Sequence, residues 1–112
     1  MDRKELIRKY KETPRPAGVY RIQHTPSGRT LLGSSPDAPA MLNRVQAQLR
    51  MRSHPNRELQ GDWDADGKGA FLFEVLELLP APDGSGSDHT GDLRLLEELW
   101  VDELALPDEA KY

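Results

Sequence analysis

With 112 residues and no cysteine, this chain has room for one modest hydrophobic core and cannot form disulfides, thiolate nucleophiles or cysteine-based zinc sites. A hydrophobic fraction of 37% and an aromatic fraction of 6% leave Leu, Val and a few aromatics to build that core, and no apolar run is long enough to span a membrane. The net charge of −4 divides unevenly, with 12 Lys/Arg against 5 Asp/Glu in residues 1–60 and 3 against 14 in residues 61–112.

A basic half can attract phosphates while an acidic half supplies metal ligands or repels nucleic acid. A dipolar surface with no specific role is the other reading of the same asymmetry. The charged start, Met1-Asp2-Arg3-Lys4-Glu5, leads into no apolar segment, which argues against a signal peptide. A reducing cytoplasm is the compartment that suits such a composition.

Residues 2–12 are strong helix formers with a short apolar stripe at Leu6, Ile7 and Tyr10. Pro14 and Pro16 end that helix. Ala17 to Gln23 reads as a strand, Thr25-Pro26-Ser27-Gly28 as a turn and Arg29 to Gly33 as a returning strand, making a β-hairpin. A helix over 39–52 presents Met41, Leu42, Val45 and Leu49 on one face. Pro55 suits the first turn of another helix, His54 to Trp63, closed by Asp64-Ala65-Asp66-Gly67. Ala70 to Leu79 has the pattern of a central strand, 80–91 that of a flexible loop and 92–104 that of a last helix. A short tail follows. The expected order is α-ββ-α-α-β-α: one domain of α/β (α+β) class, a small three-stranded sheet flanked by helices.

In the last helix Leu93, Leu96, Leu99, Trp100, Val101 and Leu104 define an apolar arc, and Glu97 falls within it. A lone carboxylate facing an apolar layer costs several kcal/mol unless it is paired or binds a metal. Periodicity leaves two readings open: a metal ligand or cleft carboxylate, and an edge carboxylate paired with an arginine. Tyr20 lies mid-strand, where packing is the commoner role. His54 stands where a loop enters a helix, and a capping role is its default. His24 and His89 lie in turns and suggest nothing, and the three histidines match no zinc spacing. Asp62, Asp64 and Asp66 alternate like a calcium loop, but residue 73 is Phe where the bidentate acid belongs.

The hairpin segments Gly18-Val19-Tyr20 and Leu31-Leu32-Gly33-Ser34-Ser35 resemble the paired signature strands of the GIY-YIG nuclease superfamily. Ser53 to Gln60 with Asp62-Trp63 is similar to the helix that follows in that family, and Phe71 to Glu77 to its third strand. Glu97, three residues before Trp100, has the spacing of the family's metal-binding glutamate. The resemblance covers residues 17–104. It implies a strand tyrosine that helps deprotonate the attacking water, a helix arginine on the scissile phosphate, and a glutamate holding one divalent ion, Mg2+ or Mn2+. Tyr20, His54 and Glu97 match positions of that scheme. Leu31 stands for the second signature tyrosine, Met41 for the arginine eight residues after the signature glycine, and Val45 for a histidine one turn later. No asparagine follows Trp100. Arg44, one turn from Met41, is the candidate substitute for the arginine.

Three functions follow as expectations. The first is a metal-dependent DNA endonuclease with Tyr20, Arg44, His54 and Glu97 as catalytic residues and Glu97 as metal ligand. The second is a DNA-binding module without hydrolysis, its phosphate contacts drawn from Arg21, Arg29, Arg44, Arg50 and Arg52. The third is a protein-interaction domain whose partner meets the acidic C-terminal helix. No recognition helix or zinc finger is present to choose a DNA sequence.

Overall fold

The computed structural model describes residues 16–79 and 90–112. The expected helix over 2–12, His89 and most of the 80–91 loop lie outside the described residues. Three strands, β1 (Gly18–His24), β2 (Thr30–Ser35) and β3 (Phe71–Leu78), form an antiparallel sheet in the order β2-β1-β3. Three helices accompany it: α1 (Ala38–Arg50), α2 (Arg57–Asp66) and α3 (Thr90–Leu104). The architecture is α+β. No described helix is long and apolar enough to cross a membrane.

The central strand is β1, not the expected 70–79 segment. Both faces of β1 are occupied: Tyr20, Ile22 and His24 are buried on one side and Val19 on the other. In β3, Phe71, Phe73 and Val75 pack on the core, but Leu72 and Leu78 remain 38% and 48% exposed. The opposite face of β3 carries Glu74, paired with Arg21, and Glu77, which accepts a hydrogen bond from Trp100 Nε1 at 3.1 Å. An apolar-rich run was therefore an edge strand with one dry face. Leu76 has no partner in β1, because the register shifts between Val19 and Tyr20; the strand bulges there.

Helix α1 starts at Asp37, whose side chain accepts from Ala40 N at 3.2 Å, with proline in its first turn. Ala38, Leu42, Val45 and Leu49 then face Tyr20 and Ile22. Helix α2 begins at Arg57 rather than His54, because Asn56 is the cap: its Oδ1 accepts from Leu59 N at 3.1 Å. The expected closing run at 64–66 is still helical, and the chain turns at Gly67. Leu59 is the fully buried anchor of α2. Burying a side chain such as Ile22, Leu49 or Leu59 contributes about 1.5–3 kcal/mol each. Helix α3 lies against β1 and β2 on the Val19 face, where Leu93 is buried and Trp100 meets Glu77. The expected tail holds a short 3-10 turn, Asp108–Ala110. Lys111 then pairs in parallel with Thr30, and Tyr112 N donates to Thr30 O at 3.1 Å.

Candidate active site

Tyr20 occupies the middle of β1, opposite Gly33 on β2 and Val75 on β3. Its ring lies across Gly33. A Cβ placed there would come within 2.5 Å of Tyr20 Cζ and collide with the hydroxyl. Gly18 has a similar cause: a Cβ there would collide with the Glu77 carbonyl oxygen and approach Leu78 Cα to 3.1 Å. Both hairpin glycines thus admit a close neighbour that no side chain would allow. The Tyr20 ring is buried, and its pKa is raised above the ordinary tyrosine value, first by that burial and then by the negative charge of Glu97. Glu97, half-buried on α3, therefore lies near enough to act on the Tyr20 hydroxyl.

His54 sits in the loop between α1 and α2, half-buried. Its Nδ1 accepts from Asn56 N at 3.0 Å, which leaves the hydrogen on Nε2, and its backbone N donates to Gln60 Oε1 at 3.1 Å. Burial pushes its pKa down. Arg44 is exposed on α1, and no carboxylate pairs with it among the described residues. The described contacts link neither Arg44 nor His54 to the Tyr20–Glu97 pair. Met41 packs against the core, Val45 is buried at 3% exposure, and Leu31 covers the same cluster. The three apolar departures in the sequence are thus packing residues here.

The expected phosphate contacts divide into two groups. Arg21 is paired with Glu74, its Nε buried without a partner among the described residues. Arg29 is paired with Glu58, lies 3.6 Å from Asp62 and stacks over the Tyr112 ring at 4.8 Å. Arg50 and Arg52 are exposed, and Arg52 reaches Asp64 only at 4.0 Å.

No protein-family model matches the chain, and no curated protein does. Among solved structures it is similar to the catalytic domain of the homing endonuclease I-TevI. That match has 24% identity and a TM-score of 0.63, covering 80% of this chain and 88% of that one. A mutant of the catalytic domain of intron endonuclease I-TevI matches at 22% identity with the same TM-score, covering 80% and 84%. The chain has a GIY-YIG-like fold. The likeness is one of architecture.

Within this GIY-YIG-like fold no group of three His, Asp or Glu side chains among the described residues is arranged to hold a metal ion. Glu97 would offer a divalent ion a single protein carboxylate. That donor set suits Mg2+, which commonly binds through one or two carboxylates plus phosphates.

The sequence reading missed a second polar cluster. His24 is the last residue of β1, not a turn residue, and is 5% exposed. Its Nδ1 meets Ser27 Oγ at 2.7 Å and its Nε2 meets Asp66 Oδ2 at 2.6 Å, with Asp62 at 3.8 Å. Tyr112 donates to Asp62 Oδ2 at 2.5 Å. These contacts tie the hairpin turn, α2 and the C-terminal segment together. Only the alternation of β1, which places residue 24 on the Tyr20 face, signals this in the sequence.

Proposed function

We propose that this chain is a GIY-YIG-type nuclease domain that binds DNA and hydrolyses its phosphodiester backbone slowly in the presence of Mg2+ or Mn2+. The reading is supported by the GIY-YIG-like architecture, in which Glu97 on α3 lies near enough for its charge to act on the buried Tyr20 hydroxyl, since hydrolysis needs a water-orienting group and a metal-holding carboxylate near one another. Tyr20 would orient the attacking water through its hydroxyl, and Glu97 would hold the divalent ion. That ion supplies neutralisation of the charge developing on the phosphate oxygens. Arg44 would meet the scissile phosphate, with Arg50 and Arg52 on neighbouring phosphates. DNA would approach along the exposed arginines of α1, since Asp92, Glu98, Asp102 and Glu103 on exposed α3 positions repel phosphates.

Slow turnover follows from the packed positions 31, 41 and 45. Loss of one well-placed donor to a transition-state oxyanion costs about 2.7–4 kcal/mol, or 10²–10³ in rate. The second reading, a DNA-binding module without hydrolysis, is favoured by those same apolar side chains. The deciding experiment incubates supercoiled plasmid with Mg2+ or Mn2+ and compares the wild type with Glu97→Ala and Tyr20→Phe. Nicking by the wild type that disappears in both variants is the expected result. Equal blanks with retained DNA binding give the second reading, and nicking untouched by Glu97→Ala removes the proposed site.

A further inference from the structure

We propose that the turn Met51–Ser53 at the end of α1 is a DNA-bending wedge, with Met51 entering between base pairs of a duplex and Arg50 and Arg52 gripping the flanking backbone. The proposal rests on the DNA-binding reading above and extends it to the form of the substrate. Met51 is 76% exposed, more than any other large hydrophobic described. Exposed residues lie on either side of it, Arg50 and Arg52, the latter with an 80% accessible side chain. A single exposed methionine is ordinary on a surface. The backbone that presents it is not.

Three backbone bonds close the end of α1: Met51 N donates to Ala47 O at 3.0 Å, Arg52 N to Leu49 O at 3.1 Å and Ser53 N to Gln48 O at 2.9 Å. This is the pattern in which the residue after the cap adopts a left-handed conformation and is ordinarily glycine. Here that residue is Arg52, at φ 57. A side chain in this region is strained. Arg52 gains little in return, since its one ion pair, to Asp64 at 4.0 Å, is exposed and long. From below, the Gln60 side chain donates to Leu49 O at 2.9 Å and accepts from His54 N at 3.1 Å, bracing the turn against α2. The result is an apolar tip between two cations on a rigid, strained support.

Proteins that kink DNA insert apolar side chains, methionine among them, between base steps, and place arginines along the groove. A flexible or retracted tip would lose the insertion energy to ordering. The bracing by Gln60 and the helix-end bonds lowers the main-chain part of that cost. The arginines also offset the partial negative charge of the helix C-terminus that would otherwise face the DNA.

The test uses the full chain and a short duplex carrying a fluorescent donor and acceptor at its two ends, at low salt. Wild-type binding is expected to raise energy transfer as the ends approach. Met51→Ala is expected to bind about tenfold more weakly and to leave energy transfer at the free-duplex level. Arg52→Gly relieves the left-handed position, so it is expected to raise the Tm by about 2–4 °C while weakening DNA binding by about threefold or more. Opposite signs on stability and affinity are something a purely structural role for Arg52 would not produce. Wild-type binding without a change in energy transfer overturns the wedge and leaves DNA binding standing. So does Met51→Ala bending the duplex as the wild type does, or Arg52→Gly binding undiminished. No wild-type binding at low salt overturns the DNA-binding reading, and the wedge with it.

Discussion

Gly18 and Gly33 are both constrained by a close neighbour, but the neighbours differ in what they can yield. At Gly18 the obstacle is the Glu77 backbone carbonyl, part of the β1–β3 ladder at the bulge. At Gly33 it is the far end of the Tyr20 side chain. Backbone in a paired strand moves only by breaking hydrogen bonds, whereas a tyrosine ring can swing away. Gly18→Ala is therefore expected to cost about 3 kcal/mol or more, and Gly33→Ala about 1–2 kcal/mol. Urea unfolding of the two variants checks the order; a Gly33 variant less stable than the Gly18 variant contradicts it. Gly33→Ala should nonetheless lose more plasmid nicking than its stability loss explains, because the displaced group is the Tyr20 hydroxyl.

At the scale of elements, the hairpin, α1 and α3 were legible in the sequence to within about two residues, since turn chemistry and apolar periodicity act locally. The identity of the central strand was not. Phe71 to Leu78 is the most apolar run, but whether Leu72 and Leu78 are covered depends on which strand pairs on the far side, and no local signal carries that. His24 was missed for the same reason: its partner Asp66 lies on α2, distant in sequence. Tyr20 and Glu97 could be proposed only from the family resemblance, because how near they lie to each other depends on the fold. The C-terminal segment makes a prediction at this scale. The Tyr112 hydroxyl is pushed above the ordinary tyrosine pKa by burial and by its hydrogen bond to Asp62. A raised folded-state value means the folded chain holds a proton that the unfolded chain releases, so stability is retained below pH ~10 and lost as pH climbs above it. Tyr20 acts in the same direction. The urea midpoint of the wild type should fall as pH rises through about 10. Tyr112→Phe should be less stable at neutral pH by about 1–3 kcal/mol, for the lost bond to a carboxylate, and should show a shallower alkaline fall. A parallel pH curve in the variant would contradict the assignment.

Across the whole molecule, the charge asymmetry of the sequence is folded into two different uses of arginine. Arg21 and Arg29 are held by Glu74, Glu58 and Asp62, so their charges are largely spent on the fold. Arg44, Arg50 and Arg57 are exposed and have no carboxylate partner among the described residues, and Arg52 has only the long contact to Asp64. Each phosphate neutralised on duplex DNA contributes about −0.9 to the slope of log affinity against log salt. Three or four contacts from the second group give a slope of about −3 to −3.5, and engagement of all six arginines would give about −5. Titration of a short duplex with the chain across a salt series reads this directly. Arg44→Ala should reduce the slope by about one. Arg29→Ala should leave the slope unchanged and instead lower the unfolding midpoint, because it strips Glu58 of its partner, Asp62 of a nearby cation and Tyr112 of its stacked cation. A wild-type slope near −5, or a slope that falls on removing Arg29, would mean that the internal ion pairs open to meet DNA and that the binding surface extends onto the hairpin.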